Sequence, residues 1–307
     1  MNILVTGGAG FIGSHVADAC ISSGHSVFII DDLSMGKREY LNSNAKFLKM
    51  DIRDEKVREV FQKEKFDVLI HHAAQMDVRK SVEDPLFDAS VNIVGTLNLL
   101  ENCRSSGVRK FIFASTGGAI YGEQDYFPAD ETHPVRPCSP YGVSKLSIEK
   151  YLNYYHVVYG LNYICLRYAN VYGPRQNPHG EAGVVAIFTS KMLSGDQPVI
   201  NGNGKQTRDY VYVEDVVRAN LSALSYNDSG IFNIGTGIET DVNQLFNMLN
   251  EFSRSKSLEI HGPPKKGEQQ RSVLDYSMAK NTLNWRPSIG LSDGLRKTVE
   301  YFKNHQK

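Results

Sequence analysis

The chain has 307 residues, in which 34 Lys+Arg balance 34 Asp+Glu, with 41% hydrophobic and 10% aromatic residues. That balance leaves no basic surplus to argue for nucleic acid or an anionic membrane, and the ordinary apolar and charged fractions exclude a disordered chain. The length provides one large domain or two of ordinary size, and no apolar run approaches the roughly 20 residues of a membrane span.

Met1-Asn2-Ile3-Leu4-Val5 enters a strand pattern at once. It lacks the basic start and longer apolar stretch of a signal peptide, so a soluble, cytoplasmic protein is expected. Residues 12–23 read as a helix ended at Gly24-His25, followed by a strand at Val27-Phe28-Ile29-Ile30. A third strand at 46–50 leads into a helix reaching about Glu64. Val68-Leu69-Ile70-His71 is the fourth strand and Lys110-Phe111-Ile112-Phe113-Ala114 the fifth. Two long helices, 86–106 and 140–159, flank that fifth strand, the second starting at Ser139-Pro140 as N-cap and first helical residue. Short apolar runs alternating with helices predict an α/β fold, a doubly wound parallel sheet covered on both faces.

After about residue 170 glycine, proline and asparagine become denser, as at Tyr172-Gly173-Pro174 and Asn201-Gly202-Asn203-Gly204. The expected division is a cofactor domain at 1–169 and a smaller substrate-binding domain at 170–307. Segments near 208–237 are expected to pack back on the first domain. Cys20, Cys103, Cys138 and Cys165 stand far apart and form no C-x-x-C pair, so they read as small buried hydrophobes rather than disulfides or zinc ligands.

Residues 6–13 read Thr6-Gly7-Gly8-Ala9-Gly10-Phe11-Ile12-Gly13, with glycines at 7, 10 and 13 between the first strand and first helix. That position lets backbone amides approach a dinucleotide pyrophosphate. Asp31 ends the second strand, 18 residues after Gly13, with Asp32 beside it. A carboxylate there accepts the adenine ribose hydroxyls and repels a 2′-phosphate, which favours NAD over NADP. Lys37 and Arg38 follow in the next loop and leave an NADP reading open. Asp51-Ile52, after the third strand, is a candidate adenine contact. Tyr141 and Lys145 stand four apart at a helix start, on one face. A nearby ammonium lowers a phenol's pKa from about 10 and makes it a usable base. His71-His72 follow a strand and point to opposite faces, so no metal site is expected.

Together these blocks give the resemblance. The glycine run at 7–13, His72-Ala73-Ala74, Asn92-Ile93-Val94-Gly95-Thr96 and Ala114-Ser115-Thr116 through Tyr121-Gly122 match in order. Pro140-Tyr141-Gly142-Val143-Ser144-Lys145, then 167–175 from Arg167 and Tyr168 through Asn170 to Arg175, then 208–215, continue the match. Gly267-Glu268 and Trp285-Arg286-Pro287 extend it towards the C-terminus. The sequence resembles the extended short-chain dehydrogenase/reductase family, closely its UDP-glucose 4-epimerase branch.

The resemblance implies a Rossmann domain holding NAD, a UDP-sugar substrate, and epimerisation by transient oxidation at sugar C4. UDP-glucose and UDP-galactose are the expected pair. Tyr141 is implied as the base, with Lys145 binding the nicotinamide ribose. Ala73, Ala74, Gln75, Asn92, Ser115 and Tyr168 fall at cofactor positions, with Phe11 and Ile12 in the glycine turn. Thr116, Tyr141, Asn170, Gly183, Val184, Arg208, Arg271 and Ser272 fall at substrate positions. A homodimer through helices 86–106 and 140–159 follows from the resemblance alone.

Departures matter. The family's catalytic serine position, four residues before Tyr121, is Gly117 here; Thr116 is the expected hydroxyl for the sugar O4, with Ser115 as the alternative. The segment Gly118-Ala119-Ile120-Tyr121-Gly122 lacks the carboxylates that related dehydratases and decarboxylases carry. Lys265-Lys266-Gly267-Glu268 replaces an expected Arg-Pro-Gly-acid run, so Lys265 or Arg271 takes the second diphosphate contact. Asn201 stands where an aromatic beside uracil is common. Ser272, small at a size-selecting position, implies room for N-acetylated sugars. The rival readings are another nucleotide-sugar oxidoreductase on this scaffold and a non-catalytic NAD sensor.

Overall fold

The protein is described by a computed structural model covering residues 1–178, 183–265 and 269–305. The apolar runs of the N-terminal half become β1 (Asn2–Thr6), β2 (Ser26–Asp31), β3 (Lys46–Lys49), β4 (Val68–His71) and β5 (Lys110–Thr116). Between them lie α1 (Phe11–Ser22), α2 (Val57–Glu64), α3 (Val78–Glu83), α4 (Pro85–Ala89) and α5 (Gly95–Ser106). Then come α6 (Gly117–Ile120), α7 (Pro140–Tyr159), β6 (Asn162–Tyr168), β7 (Asn170–Tyr172), α8 (Val184–Ser194), β8 (Ile200–Asn201) and β9 (Thr207–Tyr212). The chain ends through α9 (Val213–Ser225), β10 (Gly230–Ile234), β11 (Glu239–Asp241), α10 (Val242–Ser253), β12 (His261–Gly262), α11 (Ser277–Leu283) and α12 (Leu291–Asn304).

Seven parallel strands form one sheet in the order β10-β6-β5-β4-β1-β2-β3. The order reverses between β1 and β4, the switch point where doubly wound sheets bind their ligands. Successive side chains on each strand face opposite ways. Ile3 and Val5 pack with Val16, Ala17 and Val216 on the α1/α9 face, whereas Leu4 packs with Phe61, Leu99 and Ile148 on the α2/α5/α7 face. Both faces are apolar, so the strands carry near-continuous hydrophobic runs. Residues beyond 170 form a three-stranded sheet, β11-β9-β7, and a third core around Phe188, Tyr212 and Phe246. The chain also returns to the large sheet: α9 packs on α1, and β10 adds an edge strand. Cys20, Cys103 and Cys165 are buried as expected, but Cys138 is exposed. Among the described residues no helix is long and apolar enough to cross a membrane.

α7 spans the range expected from its signals. Ser139 Oγ accepts a hydrogen bond from Gly142 N at 3.2 Å, Pro140 opens the first turn, and Gly160 closes the helix in the left-handed region. The helix expected at 86–106 is present, helical from Pro85 to Ser106, and carries a π turn within it. A π-helical turn over Ser90–Val94 separates α4 from α5. The wider turn leaves backbone carbonyls to be satisfied, and Thr96 Oγ1 donates to Asn92 O at 2.6 Å. Asp88 and Asn92 thereby point inward together, Asn92 Nδ2 donating to Asp88 Oδ1 at 2.9 Å.

One ion pair is almost fully enclosed. Arg167 on β6 donates through Nε (2.9 Å) and Nη2 (2.6 Å) to Glu149 on α7, with side chains 4% and 1% exposed. Ser115 Oγ donates to the same carboxylate at 2.6 Å, and Arg167 Nη1 donates to Tyr121 Oη at 2.9 Å. Removing one partner strands the other charge away from water. Glu149→Gln is therefore expected to destabilise the fold by about 3–5 kcal/mol, read from the midpoint shift in a urea titration; an unshifted midpoint would refute the enclosure argument.

Candidate active site

The glycine turn sits at the carboxyl end of β1. Gly7 has φ +70, and a Cβ there would lie 2.5 Å from Ala73 N. A Cβ on Gly13 would lie 2.2 Å from Gly7 O. These two positions exclude side chains because loop, helix and the segment after β4 touch there. No side chain caps α1 at Gly10, so its first amides are available to an anion. Asp31 is 7% exposed. Its Oδ2 accepts from Ala9 N at 2.9 Å and its Oδ1 from Leu33 N at 2.8 Å. Burial raises its pKa, and those two amides oppose the rise. Each oxygen keeps a lone pair for a further donor. The residues fit an adenine dinucleotide.

Other cofactor candidates differ in what they do. Asp32 accepts from the amide (2.8 Å) and hydroxyl (2.6 Å) of Ser34 and closes its own turn. Asp51 is bound by the Arg53 guanidinium at 2.5–3.1 Å, which holds its carboxyl below the usual range. Ile52 is buried in the core, against Gly95. Asn92 Oδ1 accepts from Gln75 N, and Asn92 Nδ2 donates to Gln75 O, both at 2.9 Å. Tyr168 Oη accepts from Asn220 Nδ2 at 2.8 Å, and its ring stacks on His72 at 6.3 Å. Burial pushes His72 down to about 3, so its imidazole is neutral.

Lys145 reaches the carboxyl end of β5. Its Nζ donates to Ala114 O at 2.8 Å and lies 4.7 Å from the Phe113 ring centroid and 5.7 Å from that of Tyr141. Burial lowers its pKa to about 8, and Asp88 and Glu149 oppose that fall. Tyr141 is placed by its backbone, whose N donates to Ser81 Oγ at 3.2 Å. Ser115 and Thr116 face opposite ways. Ser115 is committed to Glu149, whereas Thr116 makes no capping bond to α6. A Cβ on Gly118 would lie 3.9 Å from Thr116 Oγ1 and 3.7 Å from Asn170 Oδ1, so both polar groups border one small space. Gly117 is required by packing, since a Cβ there would sit 2.4 Å from Leu274 Cδ1.

Towards the small sheet, Arg208 on β9 is half-buried and donates to Thr207 O at 2.7 Å. Arg271 forks onto Glu239, with Nε at 3.0 Å and Nη2 at 2.6 Å, and stacks 3.7 Å over Phe127. Gly183 is the uncapped N-cap of α8, with Val184 its first residue. Ser272 is 3% exposed. Lys265 lines an open cleft of about 770 Å³ with Asn201, Gln206 and Gln270. The expected Gly267-Glu268 match lies outside the described residues. Among the described residues no group of three or more His, Cys, Asp or Glu is placed to hold a metal.

The family model described as NAD dependent epimerase/dehydratase matches residues 3–235. The chain belongs to that family. A putative UDP-glucose 4-epimerase from Methanocaldococcus jannaschii is 47% identical over 305 residues, 99% of each chain. A solved UDP-glucose 4-epimerase from Thermotoga maritima, with UDP-glucose, is 53% identical, with TM-score 0.98 over 99% of each chain. A Thermus thermophilus UDP-glucose 4-epimerase in complex with NAD is 44% identical, with TM-score 0.95 over 100% of each chain.

NAD, expected from the glycine turn and Asp31, is the cofactor of this epimerase/dehydratase family. The sequence reading missed two buried carboxylates. Glu149 stands four residues after Lys145 on the same helix face, and Asp88 four before Asn92, so an i, i+4 reading of either helix was the available signal. Gly13→Ala should weaken NAD binding by about tenfold or more, because the α1 turn must shift to clear Gly7 O. Isothermal titration with NAD measures it, and unchanged affinity would mean the turn does not receive the cofactor.

Proposed function

We propose that the protein is an NAD-dependent UDP-sugar 4-epimerase interconverting UDP-glucose and UDP-galactose. The observation that carries this is the Tyr141–Lys145 pair, with Lys145 bonded at the carboxyl end of β5, two residues before Thr116. When bound, NAD supplies the acceptor and donor of a hydride at sugar C4. Tyr141 Oη takes the proton from the sugar 4-hydroxyl and later returns it. The Lys145 ammonium stabilises the phenolate and holds the nicotinamide ribose. Thr116 bonds the sugar O4, since Ser115 is committed to Glu149. Arg208, the first amides of α8 and Asn170 bind the diphosphate side. Lys265 serves as the second cation, which the pairing of Arg271 with Glu239 supports.

No carboxylate stands in 117–122, and the nearby Glu149 is committed to Arg167. This favours reversible oxidation over elimination of water. The two-part division near residue 169, a cytoplasmic location and a homodimer belong to the same reading. The exposed face of α7, with Tyr151, Tyr154, Val157 and Val158, and Val94 in the π turn, is the expected dimer surface.

Incubation with UDP-galactose, followed by proton NMR of the anomeric region, tests the reaction. The 4-epimer should form without net nicotinamide reduction; stoichiometric reduction instead would identify an oxidoreductase that exchanges its cofactor. Tyr141→Phe should lower turnover by roughly 10²- to 10⁴-fold, and full retention would remove Tyr141 as the base. Turnover should fall as pH rises through about 8, where Lys145 loses its proton; a flat rate to pH 10 would refute that role. Ser272→Tyr should suppress conversion of UDP-N-acetylgalactosamine more than that of UDP-galactose, and equal effects on both would end the size argument.

A further inference from the structure

Asp88 lies within α4 and is 0% exposed. Its Oδ1 accepts from Asn92 Nδ2 at 2.9 Å and from Gln75 Nε2 at 3.0 Å. Its Oδ2 accepts from Ser144 Oγ at 2.6 Å. These donors come from three segments: the loop after β4, the π turn and α7. All three are neutral, whereas the other nearby carboxylate, Glu149, is bonded to Arg167. Burying a carboxylate among neutral donors costs stability unless its geometry serves something else.

The bonds around it show what it holds. Asn92 grips the backbone of Gln75 at both N and O. The Gln75 side chain is fixed in turn by Asp77 N at 2.7 Å and Asp77 O at 2.9 Å. Ser144 directly precedes Lys145. One carboxylate therefore sets the loop at 75–77 and the helix turn bearing Lys145 relative to each other.

We infer that Asp88 is a positioning residue: through Gln75, Asn92 and Ser144 it locks the loop at 75–77 and the helix turn bearing Lys145 into the arrangement that retains NAD. The inference rests on the NAD-dependent reading above. Among the described residues, few charged and titratable groups surround Lys145. His71 at the end of β4 and His72 just after it are both driven neutral by burial. Tyr141 and Glu149 come from α7, the latter bonded to Arg167 of β6, and Asp88 comes from α4. Asp88 is the one carboxylate of this set without a cation bonded to it, so its removal lets the Lys145 pKa fall further. The ammonium is then lost at lower pH than in the native protein.

Asp88→Asn keeps the size, removes the charge and leaves one acceptor oxygen. The NAD dissociation constant should rise by about tenfold or more, as for lost hydrogen bonds to a charged group. The alkaline limb of the turnover profile should also move to lower pH. Ser144→Ala removes one donor and keeps the charge; it should weaken NAD binding to a smaller degree and leave the alkaline limb in place. Wild-type protein is measured first for NAD binding by titration calorimetry and for 4-epimer formation by NMR. If the wild type does neither, the proposed function fails. If it does both, native NAD affinity or an unmoved alkaline limb in folded Asp88→Asn overturns the positioning role alone. Should Asp88→Asn not fold, unchanged NAD affinity in Ser144→Ala overturns it.

Discussion

The enclosed pair between Glu149 and Arg167 is the constraint from which the site's geometry follows. It joins α7 to the carboxyl end of β6 where water cannot compete. The same carboxylate receives Ser115 from β5, and Arg167 reaches Tyr121 beyond α6. Tyr121 Oη then donates to Asn233 Oδ1 of β10 at 2.8 Å, and Asn233 N donates to Glu131 at 2.6 Å. A satisfied network of this kind resists partial rearrangement, because each lost bond leaves a buried polar group alone. Tyr141 and Lys145 lie two turns and one turn N-terminal to Glu149 on the same helix face. The position of Lys145 at the carboxyl end of β5 is inherited from that anchor.

Lys145 is held between opposing influences. Burial disfavours its charge, whereas Asp88, Glu149 and the face of the Phe113 ring favour it. The result is a cation whose proton affinity lies close to physiological pH, which makes it sensitive to small electrostatic changes. The neighbouring histidines add no competing charge because burial keeps both neutral.

The segment after residue 170 is fastened by buried carboxylates as well. Asp209 on β9 accepts from Thr236 N, Thr236 Oγ1, Gly237 N and Leu274 N at 2.6–3.3 Å. Asp215, fully buried at the start of α9, accepts from Ser288 N and Ile289 N at 3.1–3.2 Å. These bonds explain why the segment after residue 170 does not separate cleanly from the large sheet. Asp209 binds the loop after β10 to β9. Asp215, on the helix that packs against α1, binds the loop before α12.

Local chemistry was enough to read much of this protein. The alternating apolar runs specified the parallel strands because both sheet faces are buried, and Ser139-Pro140 with Gly160 bounded α7 because capping is a local matter. The glycine spacing was legible because only glycine tolerates the approach of Ala73 to Gly7 and of Gly7 to Gly13. What tertiary structure decided were the partners of polar groups distant in the chain. Ser115 and Thr116 are equivalent hydroxyls in sequence, yet Glu149, 34 residues away, claims the first. Lys265 and Arg271 are alternative cations in sequence, yet Glu239 takes the second. Leu274, far along the chain, is what requires glycine at 117. Within the helix at 86–106, Asp88 and Asn92 face donors and acceptors at Gln75 and Ser144, which folding alone brings to them. Sequence sets which groups a residue carries; a buried group's partner is set by the topology that removes water from around it.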